Sequence, residues 1–481
     1  MFDRRYEIAG TLDVLSPLHV GTGDLAPIAG VGGRAGSNQE PPGVALIVRD
    51  HDDKPWLPPT TLKGLLRRIG EEILREDQVK DLFGSIKHSD SESGAMGALL
   101  PRGATLQGNP PDVTGYPYVK AAGAALKPGA FVAARTAIDA RAGVADDHKL
   151  YFQETVPAGA AFALRLILIA RDDRPARLEA LRSILAVLAR QNGVPCGRGK
   201  ADGAGALRLR TTQLTQVEKR VNDQGELVGG KSVPIALTIP AAKPKPGAAP
   251  KKRAWRGTFV CDGPFISIDS SHDPKAEQKG EDKSNALQLV YQRGSKGQPI
   301  ELGSQVAGVL RGRARWIAGL EALKNDLDPI AVDPGAADDQ MARDRVVHRP
   351  ADVKKLALTP VECLFGVSGF AGLLAIEKMR FSDAKPYTIT SVKLDQFSGA
   401  PIDKALFTTS AVIGARLELA LVLRDRRSFG TATQVGIATE KDCQLFEALM
   451  KDLKDNGLSL GHGWSKGFGW FEFKSGEFHD A

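Results

Sequence analysis

Two short segments have a residue spacing that permits particular chemistry: Gly197-Arg198-Gly199-Lys200-Ala201-Asp202-Gly203-Ala204-Gly205 and Gly461-His462-Gly463-Trp464-Ser465-Lys466-Gly467-Phe468-Gly469. Both read G-x-G-x-x-x-G-x-G. Glycines at such short steps let a backbone turn tightly and approach another backbone without a Cβ clash, and successive free N–H groups can hold phosphate oxygens. Arg198 and Lys200 in one copy, and His462 and Lys466 in the other, add groups suited to RNA backbone binding. A packing loop between a helix and a strand explains the same glycines without any ligand. A nucleotide-binding loop of the form G-x-x-x-x-G-K-[ST] is excluded. It would need glycine where Val194 stands and Ser or Thr where Ala201 stands, so no nucleotide cofactor is expected.

A second set of candidates is basic. Lys63, Arg67 and Arg68 follow one predicted helix start, and Arg311, Arg313 and Arg315 follow another at an equivalent place. Charged helix faces are usually just solvated, and the repetition of these clusters supports phosphate contact more than a single such face would. Cys196, Cys261, Cys363 and Cys443 lie far apart, with no paired spacing and no Cys/His cluster, which excludes a zinc site and fits a reducing cytoplasm. His19, His51, His272 and His462 are scattered.

These residues sit in a chain that repeats itself. At 481 residues it is too long for one core, since single cores stop growing near about 250–300 residues. Its 42% hydrophobic and 25% charged residues are those of a globular protein, and 64 basic against 57 acidic residues leave a net charge of only +7. Pro17-Leu18 is echoed by Pro264-Phe265, Pro55-Trp56 by Pro299-Ile300, and Gly64-Leu65-Leu66-Arg67 by Gly308-Val309-Leu310-Arg311. Leu82-Phe83-Gly84 recurs as Leu364-Phe365-Gly366, and Ile138-Asp139 with Gly143 recurs as Leu394-Asp395 with Gly399. The glycine motifs come last, each after an amphipathic helix (about 176–192 and 440–455). Order is preserved while spacers differ, which indicates a duplicated domain.

The spacing predicts a helix start at each Gly-x-Leu repeat, with Thr60 or Thr61 and Ser304 as N-caps. Each half then reads as βαββαβ. The expected fold is α+β, two ferredoxin-like (RRM-like) domains in tandem over 1–240 and 255–481, joined by an extended Pro/Lys-rich linker at 241–254. Segments 86–130 and 320–360 are insertions of unassigned role. No apolar run suits a signal peptide or a membrane span, so a cytoplasmic location without membrane contact is expected.

With these motifs in place the sequence resembles the RAMP superfamily, specifically the backbone subunits of type III CRISPR-Cas complexes, with two copies fused. Pro17-Leu18-His19-Val20-Gly21, Pro58-Pro59-Thr60-Thr61-Leu62-Lys63-Gly64, Leu82-Phe83-Gly84-Ser85, Thr136-Ala137-Ile138-Asp139 and both glycine loops carry the resemblance. It implies a palm that holds CRISPR RNA and an inserted thumb hairpin in each half that displaces a nucleotide of the guide–target duplex. The partners implied are CRISPR RNA, single-stranded target RNA and other type III subunits. The thumbs start at Ile138 and Leu394 and fall at 138–154 and 394–407; their ends, Leu150-Tyr151-Phe152 and Ala405-Leu406-Phe407, carry apolar bulk to set against bases, and ordinary strands with buried aromatics are the alternative for Tyr151 and Phe407. Asp139 and Asp395 are read as turn residues.

The resemblance also implies, in members that cut RNA, an aspartate in the loop after the first strand and a divalent metal, Mg²⁺ or another. In the first half that position is Gly32, with Asp24 too early and Glu40 too late. In the second half Asp282 is the preferred catalytic and metal-holding residue, followed by Asp273 and Glu281. Cleavage is therefore expected from the second half alone, with a non-catalytic RNA scaffold as the alternative. A stand-alone processing endoribonuclease is third, because neither first helix carries a histidine. A splicing-type RRM is disfavoured, since no aromatic RNP1 pattern is present.

Overall fold

Apolar residues alternate with polar ones in strand β1 (Arg4–Val14), where Tyr6, Ile8, Leu12 and Val14 are buried. The computed structural model describes residues 4–31, 43–85, 94–119, 123–136, 150–170, 176–222, 224–237, 253–269, 271–272, 287–291, 303–334, 343–348, 350–424 and 436–479. After β1 come β2 (Gly21–Ala26) and β3 (Val44–Ile47), then helix α1 (Pro59–Ile73), which buries Leu62, Leu65, Leu66 and Ile69 at helical spacing. Strands β4 (Leu99–Leu106), β5 (Phe131–Arg135), β6 (Tyr151–Thr155) and β7 (Ala161–Ala170) follow. Helix α2 (Ala176–Leu188), β8 (Ala206–Val221) and β9 (Leu227–Pro234) complete the first half.

The main sheet runs β8-β1-β7-β4, antiparallel throughout, with β9 added beside β8. Chain order βαββαβ and this spatial order are those of a ferredoxin-like sheet. The second half repeats it. Its elements are β10 (Ala254–Cys261), β11 (Leu287–Val290), α3 (Gly303–Lys324), β12 (Leu374–Ser382), β13 (Lys385–Leu394), β14 (Pro401–Ile413), β15 (Ala415–Leu423), α4 (Glu440–Asn456) and β16 (Trp470–His479). The sheet β16-β10-β15-β12 has the same antiparallel order. Each half buries its own cluster of apolar residues, one around Leu12, Leu66 and Phe162, the other around Phe259, Leu310 and Phe446.

A smaller sheet is inserted in each half. In the first it is β2-β3-β6-β5 and in the second β11-β14-β13, each with one parallel pair: Val44 faces Phe152, and Leu287 faces Thr408. Matching bridges, Leu18 to Val156 and Phe265 to Val412, set the register between the halves. Counted back from these, Tyr151 matches Phe407, Phe152 matches Thr408 and Glu154 matches Ser410.

Several expectations change. The first helix begins at Pro59 with Pro58 as N-cap and no side-chain cap, so Thr60 and Thr61 lie in its first turn. Helix α3 starts at Gly303, which places Ser304 inside it. Segment 86–130 is no mere insertion, because it contains β4, a strand of the main sheet. The second hairpin spans β13 and β14, so it begins well before residue 394 and turns at 395–400, where Phe397 is fully exposed. Phe152 is only 1% exposed and packs edge-on to Tyr118 at 5.4 Å, within a small core of Ile28, Val31, Val44 and Val132. Its ring fills protein and is closed to a base. Ile138, Asp139 and most of the 241–254 linker lie outside the described residues.

The glycine loops close both sheets by the same backbone crossing. Arg198 N–H donates to the His19 carbonyl (2.9 Å) and Gly205 N–H to Pro17 (2.8 Å); in the second half His462 donates to Ile266 (2.8 Å) and Gly469 to Pro264 (2.7 Å). All eight motif glycines have φ between +68° and +83°. A Cβ on Gly197 or Gly461 would collide with the His19 or Ile266 carbonyl, and one on Gly205 or Gly469 with the Cys196 or Leu460 carbonyl. Gly205→Ala should therefore cost about 2–5 kcal/mol, from backbone strain plus overpacking. Gly308→Ala, in a helix with open space around it, should instead stabilise by roughly 0.5–1 kcal/mol. Denaturant melts of the two variants check this; equal stability would contradict the crossing.

Candidate nucleic-acid interface

The crossing in the first half forms one wall of a cavity of about 370 Å³ between the segment after β1, the first turn of α1 and the glycine loop. Among the described residues its lining holds the cations Arg68, Arg198 and Lys200, the threonines Thr60 and Thr61, and no carboxylate. Arg68 reaches it from α1 and donates to the Pro195 carbonyl; burial lowers its pKa. Arg198 lies over the Tyr151 ring at 5.2 Å, so a cation and a half-exposed aromatic face stand together. Lys200 opens the short turn between Gly199 and Gly203.

His19 forms the floor. It is 5% exposed, and its Nδ1 lies 2.7 Å from the Glu154 carbonyl. A carbonyl only accepts, so Nδ1 carries the proton and Nε2 is left as an acceptor. Burial lowers its pKa, more than the Glu154 carbonyl raises it, and Arg198 and Arg135 push the same way as burial. The ring is thus held neutral. Glu154 is itself buried, with Oε1 on Arg49 (3.0 Å) and Oε2 on the Ile47 N–H (3.1 Å), which ties β3 to β6 beneath the cavity. On the loop's other flank Asp202 pairs with Arg135 at 3.4 Å, and burial raises its pKa.

The second half lacks this polar floor. Ile266 stands where His19 does and Ser410 where Glu154 does. Its loop side chains His462, Trp464 and Lys466 are exposed.

The other basic residues separate into two kinds. Lys63 is half-exposed on α1, and Arg67 forms a surface pair with Glu71 (2.9 Å). Arg311 differs: its guanidinium meets both oxygens of Asp333 (2.9 and 2.8 Å) and the Gly366 carbonyl (3.2 Å). Arg315 approaches the same carboxylate at 3.5 Å, and the Asp333 side chain is 1% exposed. Arg313 pairs with Asp452 and lies over Trp316. The expectation that the α3 arginines face phosphate is corrected for Arg311 and Arg315, which neutralise a buried carboxylate.

Asp395 accepts from the Phe397 and Ser398 N–H groups, bonds that lower its pKa, and so holds the hairpin turn. Tyr151, Leu394 and Phe407 are partly exposed, at 38%, 52% and 47%. The acids Asp273, Glu281 and Asp282, and Gly32 and Glu40, lie outside the described residues, while Asp24 is exposed on β2. Among the described residues no cluster of His, Cys, Asp and Glu has the form of a metal site. Sequence reasoning missed Glu154, Arg49, Arg135 and Asp202. A charged residue at an inward strand position was the one available sign, and its partners come from distant segments.

Arg311→Ala should leave the Asp333 carboxylate buried with weakened compensation and destabilise the protein by about 3–5 kcal/mol, whereas Lys63→Ala should stay within about 0.5 kcal/mol. Comparing the two unfolding midpoints is the check. A neutral Arg311→Ala would make that residue a candidate for phosphate binding again.

The model of the RAMP superfamily matches residues 11–210 and 228–472. No curated protein matches the chain. Among the described residues no helix is long and apolar enough to cross a membrane. The two matched stretches each hold one ferredoxin-like sheet, one apolar core and one glycine crossing, and on that evidence the chain belongs to the RAMP superfamily, in two tandem copies.

Proposed function

We propose that this chain is a backbone subunit of a type III CRISPR-Cas ribonucleoprotein, binding CRISPR RNA and presenting it to single-stranded target RNA alongside other type III subunits. The RAMP superfamily is generally associated with RNA-binding subunits of CRISPR-Cas systems. The observation that carries the reading is the first-half cavity, lined by Arg68, Arg198, Lys200 and two threonines with no carboxylate among the described residues. Such a site suits a phosphodiester and is indifferent to base identity. Tyr151, beneath the Arg198 guanidinium, supplies a face for stacking. His19 Nε2 offers an acceptor suited to a hydroxyl donor such as a ribose 2′-OH.

RNA that copurifies with the protein from its host should consist of repeat-derived guides; protein recovered free of RNA would sink the reading. Arg198→Ala combined with Lys200→Ala should weaken binding equally across RNA sequences. The slope of log K against log salt should become shallower by about 0.7 for each phosphate that the variant no longer neutralises. An unchanged slope would place the RNA elsewhere.

We further propose that target cleavage, where it occurs, belongs to the second half, with Asp282 as the metal-positioning carboxylate and Asp273 and Glu281 as its neighbours in sequence. A divalent ion such as Mg²⁺ would stabilise charge on the phosphoryl oxygens. The first half, with Gly32 at the corresponding place, binds without cutting. Asp282→Ala in the assembled complex should erase one product band in the presence of Mg²⁺ while affinity stays nearly intact, because phosphate contacts and base pairing carry binding. Persistence of every band in the triple variant with Asp273→Ala and Glu281→Ala would leave a non-catalytic scaffold.

A further inference from the structure

The exposed side of α3 is apolar where the matching helix of the first half is charged. Counted from the G-x-L-R motif that both helices share, Gly312 stands where Arg68 does and Trp316 where Glu72 does. Gly308, Gly312, Trp316, Leu320 and Leu323 recur at helical spacing along one face of α3. Trp316 is 54% exposed, Leu320 41% and Leu323 55%, and a Cβ on either glycine would meet no described atom within 4 Å. The fold does not demand such a face, since α1 does without it. Large apolar side chains gathered on one exposed side of one helix mark a contact surface.

RNA is a poor occupant for it. Arg311, Arg313 and Arg315 are each engaged by a buried carboxylate, Asp333 or Asp452. The three cations of the first-half cavity, Arg68, Arg198 and Lys200, are replaced at the matching positions by Gly312, His462 and Trp464. The face therefore offers a phosphodiester little compensation for the water it would lose.

The stripe complements itself. It is small toward the N-terminus of α3 and large toward the C-terminus, so two copies fit when they run in opposite directions. A two-fold axis at residue 314 would set Trp316 over the partner's Gly312 and Leu320 over the partner's Gly308, with the bulk of each copy in the space left by glycine in the other. A parallel pair would oppose bulk to bulk and leave the glycines facing each other.

Charge agrees with the antiparallel arrangement. The first turn of α3 has no acidic residue, although the free N–H groups and the dipole there favour one. Asp326, in the turn just past the C-terminus of α3, is exposed and unpaired among the described residues. It stands at the end of its own helix where a carboxylate is disfavoured. The same two-fold carries Asp326 of each copy to the N-terminal end of the other copy's α3. The exposed strand β9 of a second copy is a worse fit, because a sheet edge seeks backbone partners and the side of a helix has none to give.

We infer that this chain associates with a second copy of itself through α3, as an antiparallel two-fold pair in which Trp316 and Leu320 are the anchors and Gly308 and Gly312 their sockets. The inference goes beyond the RNA-binding reading and is independent of it.

Sedimentation equilibrium of the full chain, freed of RNA by nuclease, is the test. At about 50 µM, above the micromolar dissociation constant of a modest interface, the mass should be twice the 51.3 kDa of one chain. Leu320→Glu and Gly308→Lys, each alone, should raise the dissociation constant roughly tenfold or more, because either sets an unpaired charge against apolar surface. Mixed one to one, the two variants should recover the dimer. In that hybrid the new carboxylate meets the new ammonium at one contact, and the native pair of Leu320 on Gly308 remains at the other. A monomer at that concentration, a dimer that survives either change, a mixture that stays monomeric, or a dimer formed only when RNA is present each overturns the inference.

Discussion

Each half is organised around a point where two backbone segments cross with no space for a Cβ between them. The carbonyl of His19 or Ile266 accepts from the loop, and the glycine preceding that donor lies directly against it. Because every motif glycine has positive φ, an L-residue would be strained there even if room existed. The crossing holds the segment after the first strand, the last strand and the loop in one fixed relation. In the first half the first turn of α1 lies against the same crossing. Cavity and cations follow from that: Arg198 and Lys200 alternate with glycines whose positions leave little freedom, so their side chains emerge on the same side as Arg68.

A net charge of +7 in 481 residues understates how local the available positive charge is. Arg311, Arg315 and Arg313 compensate Asp333 and Asp452, Arg345 compensates the fully buried Glu362, and Arg49 compensates Glu154. A carboxylate taken out of water costs several kcal/mol unless paired and hydrogen-bonded, so these arginines are committed before any ligand arrives. In the first-half cavity Arg68 and Arg198 meet a carbonyl and an aromatic ring and no described carboxylate. That distinction, rather than the count of basic residues on a helix, separates a phosphate site from a structural ion pair.

Much of the architecture was legible from residue spacing. The duplication, the βαββαβ order and the two glycine loops rest on local patterns, and local patterns survive in one sequence: the period of Leu62, Leu65, Leu66 and Ile69, or the alternation from Tyr6 to Val14. What failed depends on partners far along the chain. Arg311 and Asp333 are 22 residues apart, across the remainder of α3 and the turn beyond it, and no spacing rule links them. Phe152 and Tyr151 are adjacent, yet one faces a core and the other solvent; choosing between them requires the strand's register against β3. Strand β4 was hidden for another reason: its Pro101-Arg102-Gly103 interrupts the alternation, and the register shifts there against β7.

The halves share a frame but not a polar interior. His19, Glu154 and Arg49 form a hydrogen-bonded set beneath the first cavity, and the matching positions in the second half include Ile266 and Ser410. A buried polar group is tolerable only when its partners are all present, because a half-satisfied network costs more than an apolar one. Loss of any one member therefore favours loss of the others, and the second half has the uncharged Ile266 and Ser410 at two of these positions. The backbone crossing is indifferent to this exchange, since it uses the carbonyl of residue 19 or 266 and never the side chain. A fold held by main-chain contacts leaves its side chains free to diverge, so one copy can keep a cationic, hydrogen-bonding cavity while the other turns an exposed aromatic loop outward.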